Sequence, residues 1–89
     1  DIVELCTRDY SEATTSKKAQ KCLQDLALST LLANELGLEV HAGHGLDYHN
    51  VLAVADIGGM TCMNIGFSII TRSLFAGLPT AVSEMKGLL

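Results

Sequence analysis

The run Val40-His41-Ala42-Gly43-His44-Gly45-Leu46 is where this chain could do chemistry. An apolar, β-branched approach ends in His44, held between two glycines, and Asp47-Tyr48-His49-Asn50 then reads as the start of a helix. Glycines on both sides remove Cβ atoms, so a ligand can approach the imidazole and the backbone together. Imidazole has an unperturbed pKa near neutrality, which suits it to giving and taking protons. At the carboxyl end of a strand it also sits where βα folds gather their reactive groups. The same residues equally describe a glycine-rich turn with an exposed histidine.

Two further positions have the right chemistry. Glu4 lies near the end of the strand-like run Ile2-Val3-Glu4-Leu5-Cys6. Its carboxylate either faces a ligand or pairs with a nearby base, and Arg8 is close enough in sequence to be that base. Asn64-Ile65-Gly66-Phe67 passes directly from strand to helix, whose first N–H groups lack helical partners and can hold an anion such as phosphate. A simple tight turn is the competing reading of Gly66. His41, His44 and His49 match no metal-ligand spacing, so no metal is expected. Cys6, Cys22 and Cys62 are odd in number and lack a C-x-x-C pair, which points to reduced thiols and a cytoplasmic setting.

The elements that must position these groups alternate between strand and helix. After the strand at residues 2–6 comes a polar loop from Thr7 to Thr15, then a helix over about 16–36 with Thr15 or Ser16 as N-cap. Ala19, Leu23, Leu26, Thr30 and Ala33 recur at three- and four-residue steps and mark its inward face. Gly37 falls where a helix C′ residue takes a positive φ. A second strand covers 38–42, and Asp47 caps a short helix over 48–56 that Gly58-Gly59 breaks. A third strand covers 60–65, a helix runs from 67 to 75 with Ala76-Gly77 as its stop, and Pro79 opens a last helix with Val82 and Met85 facing inward.

Helices between successive strands imply parallel pairing, since a parallel pair needs a long crossover. The fold class is therefore α/β: a single segment, residues 1–89, of either a doubly wound sheet or a closed (β/α)8 barrel. Three parallel strands alone leave two open edges, so self-association or further chain is expected to cover them. The start at Asp1, already strand-like, reads as a fragment of something longer.

Composition excludes several functions. A net charge of −4 offers no cationic stripe for nucleic acid, and Lys17, Lys18 and Lys21 read as a solvated helix face. The apolar runs fall well short of the roughly 20 residues a membrane span requires. With four aromatic residues among 48% hydrophobic ones, the core must be aliphatic.

Taken jointly, Ala42-Gly43-His44-Gly45-Leu46, Tyr48-His49-Asn50-Val51 and Asn64-Ile65-Gly66 resemble the pyridoxine 5′-phosphate synthase family. Val3-Glu4-Leu5 and Ala81-Val82-Ser83-Glu84-Met85-Lys86 fit its carboxyl-terminal third, and the resemblance spans essentially the whole chain. It implies the last three βα units of a (β/α)8 TIM barrel. The implied enzyme condenses 3-amino-2-oxopropyl phosphate with 1-deoxy-D-xylulose 5-phosphate to pyridoxine 5′-phosphate, inorganic phosphate and water, in vitamin B6 biosynthesis. The resemblance also implies a cytoplasmic homo-oligomer without metal or cofactor, with small phosphorylated substrates as its partners.

By position, His44 resembles the family's proton-donor histidine, and Glu4 its carboxylate that stabilises the charged transition state. Gly45, Gly66 and Phe67 resemble the backbone contacts to the aminoketone phosphate. Phe67 stands where the family commonly has histidine, Cys6 and Arg8 where histidine or tyrosine and then glycine are usual, and His41 where asparagine is frequent. The family's other acid–base histidine and glutamate lie on earlier strands, so residues 1–89 alone are expected to be inactive. Two alternatives stay open. One is a non-catalytic phosphate-binding or self-associating partial barrel. The other is a different phosphate-handling (β/α)8 aldolase or isomerase, although no lysine stands at a strand end.

Overall fold

The computed structural model describes residues 1–89. Its elements in chain order are β1 (Ile2–Cys6), α1 (Arg8–Ser11), α2 (Ser16–Glu35), β2 (Glu39–Gly43), α3 (Val51–Ala55), β3 (Met60–Asn64), α4 (Phe67–Ala76) and α5 (Leu78–Leu88). The three strands form one parallel sheet in the order β1-β2-β3. Sequential order with right-handed crossovers carries every connecting helix to the same face, whereas a doubly wound sheet reverses direction to cover both.

The side chains follow that geometry. Val40 and Ala42 point to the helical face and are wholly buried. Ala42 joins Leu46, Val51, Val54 and Met85 in an aliphatic core, with Leu23, Met60, Met63 and Ile69 packed around it. The opposite face has no helix. Register pairs Glu4 with His41, Cys6 with Gly43, His41 with Cys62 and Gly43 with Asn64, so these residues line the uncovered face. An irregularity between Val40 and His41 shifts β3 by one residue and brings Cys62 and Asn64 onto that side.

Helix α2 begins as expected: Thr15 is the N-cap, its hydroxyl oxygen accepting from the Lys18 N–H at 3.2 Å. Leu26, Thr30 and Ala33 are buried, Ala19 and Leu23 half-buried, and Lys17, Lys18 and Lys21 exposed. Gly37 takes φ +78° just after the helix, and Gly77 takes φ +86° between α4 and α5. No helix is long and apolar enough to cross a membrane.

Three expectations need correction. The segment 7–15 is not a plain loop, because Arg8–Ser11 form one helical turn, α1. So short a helix has no periodicity to read; tertiary bonds hold it, from the Thr7 N–H to the Gly43 carbonyl (2.9 Å) and from the Tyr10 hydroxyl to the Asn50 carbonyl (2.7 Å). The helix expected from 48 starts only at Val51. Asp47 does act as a cap, but of the turn before it: its Oδ1 accepts from the N–H groups of His49 and Asn50 at 2.8 and 2.7 Å. The Asn50 Oδ1 accepts from the Asp47 N–H in return. Finally, Val82 is exposed, because Ala81 and Met85, four residues apart, already occupy the inward stripe of α5.

Candidate functional site

Glu4, His44, Gly45, Gly66 and Phe67 lie on or beside the carboxyl ends of the strands. The chain leaves β2 at Gly43 and turns sharply through His44, at φ +101°, and Gly45, at φ +75°. His44 is the one non-glycine residue with positive φ, and such a conformation costs of order 1–3 kcal/mol and persists only where its surroundings enforce it. Thr7 supplies the enforcement. Fully buried, it donates its hydroxyl to the His44 carbonyl at 2.6 Å. Gly45 presses against α1, where a Cβ would stand 2.2 Å from the Ser11 Oγ.

Of the two readings of Glu4, the pairing with Arg8 is not formed. The Glu4 Oε1 instead accepts from the Asn64 side-chain amide, reaching from β1 to β3 over the top of β2. This link explains Gly43, where a Cβ would lie 2.9 Å from the Glu4 Oε1 and 3.1 Å from the Asn64 Cβ. Arg8 turns the other way, donating its Nε–H to the His44 Nε2 at 3.1 Å. His41 lies on the same uncovered face as Glu4 but bonds to the Glu39 carboxylate at 2.7 Å and stays apart from His44.

An open cleft of about 470 Å³ lies between the β2 and β3 ends, lined by His44, Gly45, Leu46, Asp47, Asn64, Ile65, Gly66, Phe67 and Ser68. Helix α4 starts at Phe67 with Gly66 as N-cap, so its first backbone donors open onto this cleft. Gly66 has φ −129°, and a Cβ there would meet nothing within 4 Å. Neither backbone strain nor packing in this chain requires glycine at that position; clear access to the backbone N–H is what glycine provides. The Phe67 side chain is 87% exposed.

The cleft thus brings His44, Gly45, Gly66 and Phe67 together, while Glu4 joins them only through Asn64. Three contributors escaped the sequence reading. Asn64 both lines the cleft and holds Glu4; its signal was an amide at a strand end two residues before a helix-opening glycine. Ser68 places a hydroxyl one residue into α4, and Thr7 carried no local signal at all.

Tyr10 packs beside this region, its hydroxyl reaching the loop that follows His44. Burial first, and the negative charge of Asp47 second, raise its phenol above the ordinary tyrosine range. It therefore stays protonated and keeps donating to the Asn50 carbonyl, fixing α1 to the loop that follows His44.

An imidazole that can move protons and a helix N-terminus that can hold an anion share one cleft. The fold and site define a parallel βα protein whose candidate reactive groups gather at the carboxyl edge of its sheet. The chain belongs to the pyridoxal phosphate biosynthesis protein PdxJ family, whose model matches residues 1–89. Among curated proteins it is 59% identical to the pyridoxine 5′-phosphate synthase of Elusimicrobium minutum (strain Pei191) over 85 residues, covering 96% of this chain and 35% of that protein. It is 48% identical over 89 residues to the pyridoxine 5′-phosphate synthase of Prochlorococcus marinus (strain MIT 9312), covering 100% of this chain and 37% of the relative. It is 46% identical over 88 residues to that of Syntrophotalea carbinolica (strain DSM 2380 / NBRC 103641 / GraBd1), covering 99% and 37%. The chain spans just over a third of the length of these relatives.

Proposed function

We propose that this chain supplies the proton-donor histidine and the aminoketone phosphate cradle of a pyridoxine 5′-phosphate synthase, within the last three βα units of a (β/α)8 barrel. The observation that carries the reading is the shared cleft, in which His44 faces the free N-terminus of α4 across the ends of β2 and β3. Sequential strand order, helices on one face and polar groups on the other support the barrel, because barrel strands turn their bare face to a common interior.

In this reading the enzyme condenses 3-amino-2-oxopropyl phosphate with 1-deoxy-D-xylulose 5-phosphate, releasing inorganic phosphate and water. Backbone donors at Gly45, Gly66 and Phe67 hold the aminoketone phosphate, which suits a chain of net charge −4. Imine formation, dehydration and ring closure each move a proton, and His44 serves those transfers. Glu4, aimed by Asn64 across Gly43, balances the cationic imine. The pentulose phosphate and the second acid–base pair are handled by strands outside these residues. Self-association and a cytoplasmic setting complete the proposal.

The test is turnover by the complete gene product containing this chain. Both substrates should yield pyridoxine 5′-phosphate and free phosphate. His44→Ala should lower kcat roughly 10²–10⁴-fold with folding intact, since the ring is exposed and packs against no core residue. Wild-type turnover in that variant would remove His44 from the mechanism.

A further inference from the structure

Helix α1 is a single turn with no buried residue, yet it is tied to the loop after β2 at three points. Thr7 bonds to the His44 carbonyl, Tyr10 bonds to the Asn50 carbonyl, and Ser11 abuts Gly45. Arg8 lies between these anchors, so its Cα is fixed relative to the imidazole of His44. Its guanidinium makes no ion pair, whereas Arg72 clamps Glu84 through two hydrogen bonds. Its one side-chain bond is from Nε–H to the His44 Nε2, at 3.1 Å.

That bond determines the imidazole's form. A ring nitrogen that accepts a hydrogen bond carries no proton, so the neutral ring must carry its proton on Nδ1. The Nδ1 has no partner in the structure, and His44 lines the cleft. We propose that Arg8 is a positioning residue, holding His44 as the Nδ1–H tautomer so that Nδ1–H is the donor presented to substrate. This rests on the reading of His44 as the group that meets substrate in the cleft. While Arg8 occupies Nε2 the neutral ring gives a hydrogen bond from Nδ1–H, and it takes up a proton only when Nε2 is released from Arg8. A neutral imidazole in this form polarises a substrate oxygen as a hydrogen-bond donor.

Substitutions at Arg8 separate the bond from the charge. The glutamine side-chain nitrogen lies the same number of bonds from Cα as the arginine Nε. Arg8→Gln therefore keeps a donor at the same reach and removes the charge, while Arg8→Ala removes both. The complete gene product, labelled with ¹⁵N-histidine, would be examined without ligand at alkaline pH by two-bond ¹H–¹⁵N correlation, with His44 assigned by its loss in His44→Gln.

The Nδ1–H pattern is expected in wild type and Arg8→Gln, and a gain of the Nε2–H form in Arg8→Ala. In turnover, Arg8→Ala should lower kcat about tenfold with KM unchanged, and Arg8→Gln should restore it. A wild-type ring in the Nε2–H form, or an Arg8→Ala spectrum identical to wild type, overturns the assignment. An unaltered kcat in Arg8→Ala overturns the catalytic consequence. If the wild-type gene product forms no pyridoxine 5′-phosphate, the proposed function fails, while the spectra still decide the tautomer.

Discussion

Replacing Gly45 by alanine tests whether the His44 loop is held by backbone conformation, by contact with α1, or by both. At φ +75° an alanine enters the left-handed region, at a cost of about 1–2 kcal/mol. Its methyl group would also stand 2.2 Å from the Ser11 Oγ and 2.7 Å from its Cβ. Overpacking of that kind costs about 1–3 kcal/mol. The sum is a destabilisation of about 2–5 kcal/mol, in the upper range for a single substitution. The two contributions can be separated, because Ser11→Gly removes both crowding atoms and leaves φ untouched. In a double-mutant cycle on the complete gene product, followed by thermal or urea unfolding, Ser11→Gly should recover the steric share, a coupling of about 1–3 kcal/mol. The conformational share should persist. Additivity of the two substitutions, or a cost for Gly45→Ala below about 0.5 kcal/mol, would refute the account of how α1 positions this loop.

Gly66→Val should cost no more than about 1 kcal/mol of stability, the loss of an N-cap glycine whose Cβ position is open, yet raise KM for the aminoketone phosphate by shielding the α4 N-terminus; an unchanged KM would locate the phosphate elsewhere. Thr7→Val keeps the shape of a buried side chain but leaves the His44 carbonyl unpaired, so urea unfolding should show a loss of about 1–3 kcal/mol. The Tyr10 phenol has a folded pKa above its unfolded value, so its contribution is complete below the ordinary tyrosine range of about 10 and is lost as pH rises through the folded pKa. Melting temperature should therefore fall with rising alkaline pH, and less steeply in Tyr10→Phe.

Much of the architecture could be read from local pattern. Three β-branched or apolar runs separated by helical periodicity required parallel pairing, and Gly37 marked the end of α2 because a positive φ favours the residue without a Cβ. His44, Gly45, Gly66 and Phe67 were legible as one site because strand-to-helix junctions fall at the same edge of any parallel βα sheet. Boundaries were less legible. Tyr48 to Asn50 form a turn before α3 because the Asp47 and Asn50 side chains bond the backbone reciprocally and delay the helix. Val82 carried a helical signal, but which apolar residue of α5 faces inward depends on the rotation at which the helix docks.

By itself, the order of residues determined the alternation of strand and helix, their parallel sense, and the edge at which a histidine and a helix N-terminus would meet. These follow from propensities and spacing that act within a few residues. The tertiary structure alone decided the partners: Arg8 with His44 instead of Glu4, Glu4 with Asn64 sixty positions away, and Thr7 beneath the strained His44. Such pairings depend on register and on which side of a strand each side chain leaves, and a one-residue shift like that between Val40 and His41 reverses them.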